Sequence, residues 1–202
     1  MSVSELSDLF VPSPTAIAQD EALRARLVAA ADRDGVLDIV YRTIDSPFGP
    51  LLLAATPAGL VRLAFAVEGH DAVLARLADD VSPRILNVPQ RLDAAAHQLD
   101  EYFAGTRRVF AIDIDLQLVR GFRRTVLNHL RDIGYGTTES YRDVAVASGS
   151  PAAVRAVGTA CATNPLPVVV PCHRVVRSDG SFGQYLGGAA TKRALLEMEA
   201  AA

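Results

Sequence analysis

From Leu37 onward the apolar residues come in short runs broken by turn-forming residues. Leu37–Ile44, Leu51–Ala55 and Leu60–Val67 are separated by Asp45-Ser46-Pro47-Phe48-Gly49-Pro50 and by Thr56-Pro57-Ala58-Gly59. Three such runs joined by tight turns predict an antiparallel meander. The period then lengthens: Asp71–Ala78 has helical spacing, and so has Leu92–Phe103, where Leu92, Ala95, Ala96, Leu99 and Tyr102 form one stripe. Alternation returns at Phe110, Ile112, Ile114 and Leu116, which predicts a further strand. Ahead of the meander, Asp20–Asp32 places Leu23, Leu27, Ala30 and Ala31 on one face of an amphipathic helix, within an extension covering residues 1–36.

Past Leu116 the pattern is mainly helical. Phe122–Ile133 turns Phe122, Val126, Leu127 and Leu130 toward a core, and Gly134-Tyr135-Gly136-Thr137-Thr138 ends it. Ser140 caps a short helix over Tyr141–Ala147, Gly149-Ser150-Pro151 makes a turn, and Ala152–Ala162 forms a second helix, the layout of a helix-turn-helix. Val168-Val169-Val170, caught between Pro167 and Pro171, predicts a short buried strand, because β-branched side chains favour extended backbone. The chain thus reads as α/β: the extension 1–36, an α/β domain over 37–116 with a three-stranded antiparallel sheet, and a mostly helical domain over 117–202.

Composition narrows the class. Half of the 202 residues are hydrophobic, enough for a proper core. Cys161 and Cys172 are too few for a disulfide framework, and no set of Cys and His has metal-ligand spacing, so neither metal nor cofactor is expected. No run approaches the roughly 20 apolar residues of a membrane span, and Met1–Phe10 lacks the basic start of a signal peptide. A soluble cytoplasmic monomer is the expectation. The net charge of −3 hides an asymmetry. Residues 1–116 hold 10 Lys/Arg against 17 Asp/Glu, a balance of −7, whereas residues 117–202 hold 10 against 6, a balance of +4. The basic half is the one to meet phosphate.

Two features of that half bear on chemistry. In Pro171-Cys172-His173-Arg174, a thiol beside an imidazole and a guanidinium can lose its proton to a base and have its charge stabilised; a buried structural Cys is the other reading of that pair. In the second helix Ala152, Ala153, Ala156, Gly158 and Ala160 leave a narrow rod with one prominent side chain, Arg155. A helix entering a groove needs low bulk, and one long cation can replace a displaced base. Tight helix packing with a solvated Arg155 explains the same residues equally well.

Taken in order, Tyr141, Arg155 in Ala153-Val154-Arg155-Ala156-Val157-Gly158, Asn164-Pro165, Pro171-Cys172-His173-Arg174-Val175-Val176, Tyr185 with Gly187-Gly188, Lys192 and Glu199 form a specific constellation. It resembles the O6-alkylguanine-DNA alkyltransferases, the methylated-DNA–protein-cysteine methyltransferases, over residues 37–202. The resemblance implies a ribonuclease H-like first domain and a winged-helix-like second one. It implies double-stranded DNA carrying O6-alkylguanine as partner, with O4-alkylthymine as a second lesion, and irreversible single-turnover transfer of the alkyl group to Cys172. His173 would take the thiol proton through a water, Glu199 would orient that imidazole, Tyr141 would protonate the departing base, and Asn164 would tie the turn. Arg155 would fill the gap left by the flipped nucleotide, on a helix whose Ala153, Ala156 and Gly158 meet DNA together with Tyr141. Val175, Tyr185, Leu186 and Arg174 would surround the base.

Several residues of this half have a plainer reading. Glu199, Lys192 and Arg193 read equally as surface charges and Tyr185 as a core aromatic. Leu118-Val119-Arg120-Gly121 and Leu186 depart from the family's pattern, the latter standing where a small residue is usual. Among rival functions, a lesion binder on the same fold lacks an acceptor cysteine, which is present here. A sequence-specific regulator needs side chains that reach base edges, and the second helix has few. A Cys–His hydrolase needs a Gly-rich nucleophile elbow, which Cys172 lacks.

Overall fold

The computed structural model describes residues 13–201. The boundary between compact units falls after Asp38, and residues 39–202 form a single unit, so the junction near Leu116 separates no compact bodies. Before the boundary, helix α1 spans Pro14–Arg33. It starts earlier than apolar spacing predicts, with Pro14 in the first turn, where its missing N–H costs nothing. The Leu23 and Leu27 side chains are more than half exposed.

In the second unit, β1 (Ile39–Ile44), β2 (Leu51–Thr56) and β3 (Gly59–Phe65) form the expected antiparallel meander. A fourth strand, β4 (Ile85–Asn87), escaped the pattern. It pairs parallel to β1, giving the order β3-β2-β1-β4, and is reached from β3 through helix α2 (His70–Asp80). Only three residues long, between Pro83 and Pro89, it shows no alternation to detect. Val73 and Leu77 of α2 pack on Ile39, Leu52, Ala54, Val61 and Ala64 of the sheet, each such apolar side chain contributing about 1.5–3 kcal/mol. Helix α3 (Asp93–Phe103) follows, with Ala95, Ala96, Leu99 and Tyr102 buried as its stripe predicts.

The strand expected over Phe110–Leu116 does not form. Only Ile114 bridges the sheet, opposite Leu60, where Leu60 N–H meets Asp113 O and Asp115 N–H meets Leu60 O, both at 2.8 Å. Gly59 permits that approach, since a Cβ there would lie 2.4 Å from Asp113 O. Earlier in the segment the Gln98 carboxamide takes both backbone groups of Ala111, removing them from any ladder.

Helix α4 (Phe122–Leu130) ends three residues before Ile133, which is buried in the turn that follows. Strand β5 (Glu139–Ser140) leads into α5 (Tyr141–Ala147), capped as expected: Ser140 Oγ accepts from Asp143 N–H at 3.2 Å, and the Asp143 carboxylate returns to Ser140 N–H at 3.1 Å. After the turn through Gly149, α6 spans Val154–Ala162, starting two residues later than the apolar pattern suggests. Val157, Ala160 and Cys161 face inward, and Arg155 and Thr159 face solvent. Strand β6 (Val175–Val176) pairs parallel with β5, and α7 (Gly188–Ala200) closes the chain.

Candidate active site

Cys172 reaches its place through a turn rather than a strand. Beyond α6 the chain is caught by the buried Asn164 side chain, whose Oδ1 accepts from Leu166 N–H at 3.0 Å and whose Nδ2 donates to Val170 O at 2.8 Å. Val170 N–H closes on Leu166 O at 2.8 Å. The strand expected at Val168–Val170 is therefore absent, and Val168 sits at φ 74°. For a β-branched residue that conformation costs about 1–3 kcal/mol. The Asn164 clamp and burial of Val168 and Val170 hold it there. Cys172–Arg174 then makes one 3-10 turn, in which successive side chains point about 120° apart.

The thiol is nearly inaccessible, at 2% exposure. Burial pushes it up to about 11, against a hydrogen bond from Asn164, the charge of Lys192 and a backbone N–H. Lys192, the only lysine in the chain, is fully buried on α7 and donates to Val175 O. It is no surface charge. Cys161 on α6 is also buried and free; burial, then the Cys172 charge, raises its thiol.

Glu199 is likewise no solvated helix end. It is 3% exposed, and its Oε1 lies 3.0 Å from His173 Nε2. Burial alone would lift the carboxyl, but hydrogen bonds from His173 and Arg174, the His173 charge and a Tyr102 hydrogen bond outweigh it and hold the carboxyl at about 2. Burial lowers His173, and Glu199 pulls it back up. A neutral imidazole facing a carboxylate carries its proton on Nε2, which leaves Nδ1 as the basic nitrogen. Nδ1 is buried without a partner among the described residues.

Arg174 does not stand free to meet a base. Its Nε and Nη2 grip Glu199 at 2.9 and 2.8 Å, Nη1 donates to Ile133 O at 2.5 Å, and the guanidinium lies 5.7 Å from the Tyr135 ring. Its place is behind the imidazole, as the partner of the carboxylate. Two further groups on Glu199 escaped the sequence reading, the Tyr102 hydroxyl and Gly136 N–H. Tyr102 is visible in sequence only as one member of the α3 stripe. Its one signal is a polar handle at a core position.

Tyr141, at the start of α5, is half-buried. Burial, then the Cys161 and Cys172 thiols, hold its phenol above the ordinary value, and Arg177 opposes them. The loop 177–187 crosses it at Gly183, where a Cβ would fall 2.1 Å from the Tyr141 hydroxyl, so a side chain there would displace the Tyr141 ring. The same loop buries Tyr185, whose ring stands edge-on 6.3 Å from His173 and 5.7 Å from Phe65 of β3. Gly187 lies under that Phe65 ring, where a Cβ would come within 2.9 Å. Leu186, half-buried, borders an open cleft of ≈ 620 Å³ together with Ala162, Arg177, Phe182 and Tyr185.

Arg155, Ala153, Ala156 and Gly158 lie together along the start of α6 and share no contact with the thiol network that any hydrogen bond records. Arg155 is exposed, and its guanidinium has no hydrogen-bond or ion-pair partner among the described residues. A Cβ on Gly158 would meet nothing within 4 Å. Packing within the protein does not require that glycine. Val175 is buried in β6 beside the site, its carbonyl occupied by Lys192.

The site thus sets a buried thiol and an imidazole backed by a carboxylate in the half of the chain that holds the helix-turn-helix. The comparisons give the family. A sequence family described as 6-O-methylguanine DNA methyltransferase, ribonuclease-like domain, matches residues 39–116, and its DNA binding domain matches residues 121–201. The chain belongs to the 6-O-methylguanine DNA methyltransferase family. The methylated-DNA–protein-cysteine methyltransferase of Mycobacterium tuberculosis is 40% identical over 163 residues, 80% of this chain and 92% of that protein. The protein of the same name from Methanosarcina barkeri is 36% identical over 79% of this chain and 96% of its own length. The crystal structure of M. tuberculosis O6-methylguanine methyltransferase superposes with a TM-score of 0.71 at 38% identity, covering 81% of this chain and 93% of that one. That of M. tuberculosis OGT in complex with DNA gives 0.69 at 39% identity, covering 80% and 93%.

Proposed function

We propose that this chain performs direct-reversal repair of duplex DNA, moving the alkyl group from O6 of an alkylated guanine onto Cys172 once per protein molecule. The observation that carries it is the sequence of contacts on one 3-10 turn. A buried thiol is followed by an imidazole whose Nε2 is committed to a buried carboxylate while Nδ1 remains basic. A thiol so buried cannot reach a base inside a stacked duplex, so the base must be turned out to it, at a cost of a few kcal/mol that a poorly paired lesion lowers.

The thiol proton passes to His173 Nδ1 through a water as Sγ attacks the alkyl carbon. The Sγ–C bond forms while C–O6 breaks, and Tyr141 gives its proton to the departing guanine, a poor leaving group as an anion. Proton exchange with solvent restores His173 and Tyr141. The thioether has no hydrolysable bond, so the protein is consumed. Asn164 steadies the thiol's turn and, through its hydrogen bond to Cys172, favours the thiolate. Arg155 enters the duplex from the smooth start of α6. Tyr185, Leu186 and the main chain near Val175 bound the base. Residues 117–202 carry both DNA and acceptor functions, and the sheet half buttresses them. The working form is a monomer in the cytoplasm, where free thiols such as Cys161 and Cys172 persist.

Incubation with duplex DNA carrying one O6-methylguanine is expected to add one methyl mass to the peptide bearing Cys172, in stoichiometric amount and without turnover. Methyl groups still on the DNA in the presence of excess protein would refute the assignment.

A further inference from the structure

Glu199 accepts more hydrogen bonds than the orientation of one imidazole needs. Its Oε1 takes the Tyr102 hydroxyl at 2.5 Å, Arg174 Nη2 at 2.8 Å, His173 Nε2 at 3.0 Å and a share of Arg174 Nε at 3.2 Å. Its Oε2 takes Arg174 Nε at 2.9 Å and Gly136 N–H at 3.2 Å. Four of these donor groups come from the helical half. Tyr102 comes from α3, in the sheet half, and is fully buried. Its ring is fixed edge-on by Phe103 and Tyr135 and tilted against Phe110, with centroids 5.1–6.0 Å away. So held, the hydroxyl lies 3.4 Å from His173 Nε2 as well as against the carboxylate. Burial, then the charge of Glu199, raises the phenol far above its ordinary value, so it stays a donor at every working pH.

We propose that Tyr102 is a positioning residue for alkyl transfer: by donating to Glu199 Oε1 it divides that oxygen between phenol and imidazole, and so sets how readily His173 takes up and releases the thiol proton. The inference rests on the reading of Cys172 as alkyl acceptor. An oxygen whose lone pairs are shared among several donors holds each less firmly than it would hold one. Without the phenol, Oε1 would turn more of its charge on His173 Nε2–H and stabilise the imidazolium. The other groups facing His173 do not substitute for this control. Lys192 of α7 and Arg174 of the same 3-10 turn oppose positive charge on the imidazole, the Tyr185 ring stands at 80° to it with centroids 6.3 Å apart, and Cys172 is the proton source. Tyr102 alone among the described residues links the sheet half to the carboxylate. This gives that half a part in the chemistry beyond support, with no proton of its own transferred.

The test compares full-length wild type and Tyr102→Phe, which keeps the ring packing. Single-turnover transfer from an O6-methylguanine duplex is followed from pH 5.5 to 9. The acid limb of the variant is expected to move to higher pH, making transfer on the order of fivefold slower below the limb and near wild type above it. An unmoved limb, or a loss uniform in pH, would overturn the inference. Replacement of Tyr102 by 3,5-difluorotyrosine, a stronger donor of similar shape, should move the limb the opposite way. Movement in the same direction as Tyr102→Phe, or none, counts against it equally. Wild-type protein that transfers no methyl group would overturn the functional reading together with this inference; a competent wild type with an unmoved variant limb overturns this inference alone.

Discussion

The Glu199 carboxyl ties stability to pH. In the folded protein it titrates at about 2, below the roughly 4.3 of a free glutamate. A depressed folded value adds stability that is fully present above the unfolded value and is lost as pH falls from about 4.3 through about 2, worth roughly 3 kcal/mol. Urea midpoints of the wild type should therefore drop steeply over that window. Glu199→Gln should be less stable at pH 7, by about 3–5 kcal/mol because Arg174 is left buried and unpaired, and should show a flatter acid limb. Equal slopes in the two proteins would mean that the carboxylate is not the coupled group. At this scale Cys172, His173, Asn164 and Glu199, which the family resemblance groups in the sequence, lie together in the structure, with Glu199 against the His173 ring and Asn164 tied to the turn that leads to Cys172. The sequence misplaces Arg174, since nothing in a tetrapeptide says which neighbour a long guanidinium will find. It overlooks Tyr102 as a polar partner, because its place beside Glu199 arises from chain sites 97 residues apart.

Among the elements, α6 has small residues of two kinds: packing accounts for Ala160, which is fully buried, and Gly158 is the position that separates the two explanations. Helix packing would require Gly158, yet a Cβ there meets open space, and glycine inside a helix costs roughly 1 kcal/mol relative to alanine. Gly158→Ala is therefore expected to raise stability by up to about 1 kcal/mol, while Gly158→Gln, which adds bulk outward, should weaken duplex repair without unfolding the protein. Arg155→Ala should slow repair in duplex with less effect on free O6-benzylguanine; equal loss on both substrates would exclude a base-replacing role. Helices and hairpins that are set by nearby spacing and caps, such as the Ser140-capped α5 and the meander, are legible in the chain. Elements set from afar are not. The three valines at Val168–Val170 have strand propensity, but the Asn164 carboxamide takes their backbone partner and bends them. Phe110–Leu116 alternates as a strand should, and the Gln98 side chain removes one of its backbone pairs.

For the whole molecule, the difficulty is that a chain of net charge −3 must approach a polyanion. The charge division resolves it once burial is counted. Of the ten cations in residues 117–202, Lys192 and Arg174 are buried within the thiol network, so they add nothing to the outer field. Arg120, Arg124, Arg131, Arg142, Arg155, Arg177 and Arg193 are exposed, and the helix-turn-helix carries two of them, Arg142 and Arg155. The acidic surplus lies in residues 1–116, so a field of the right sign belongs to the helical half and only a face of that half should be drawn to phosphate. Each phosphate neutralised adds about 0.9 to the slope of log affinity against log salt. If at least two arginines make such contacts, affinity for undamaged duplex should fall about tenfold or more between 50 and 200 mM salt. Arg142→Ala and Arg155→Ala should each reduce that slope by about one contact's share, whereas Arg42→Ala in the sheet half should leave it unchanged. A salt-independent affinity, or a slope set by the sheet half, would place the DNA on a different face and detach Arg155 from the lesion.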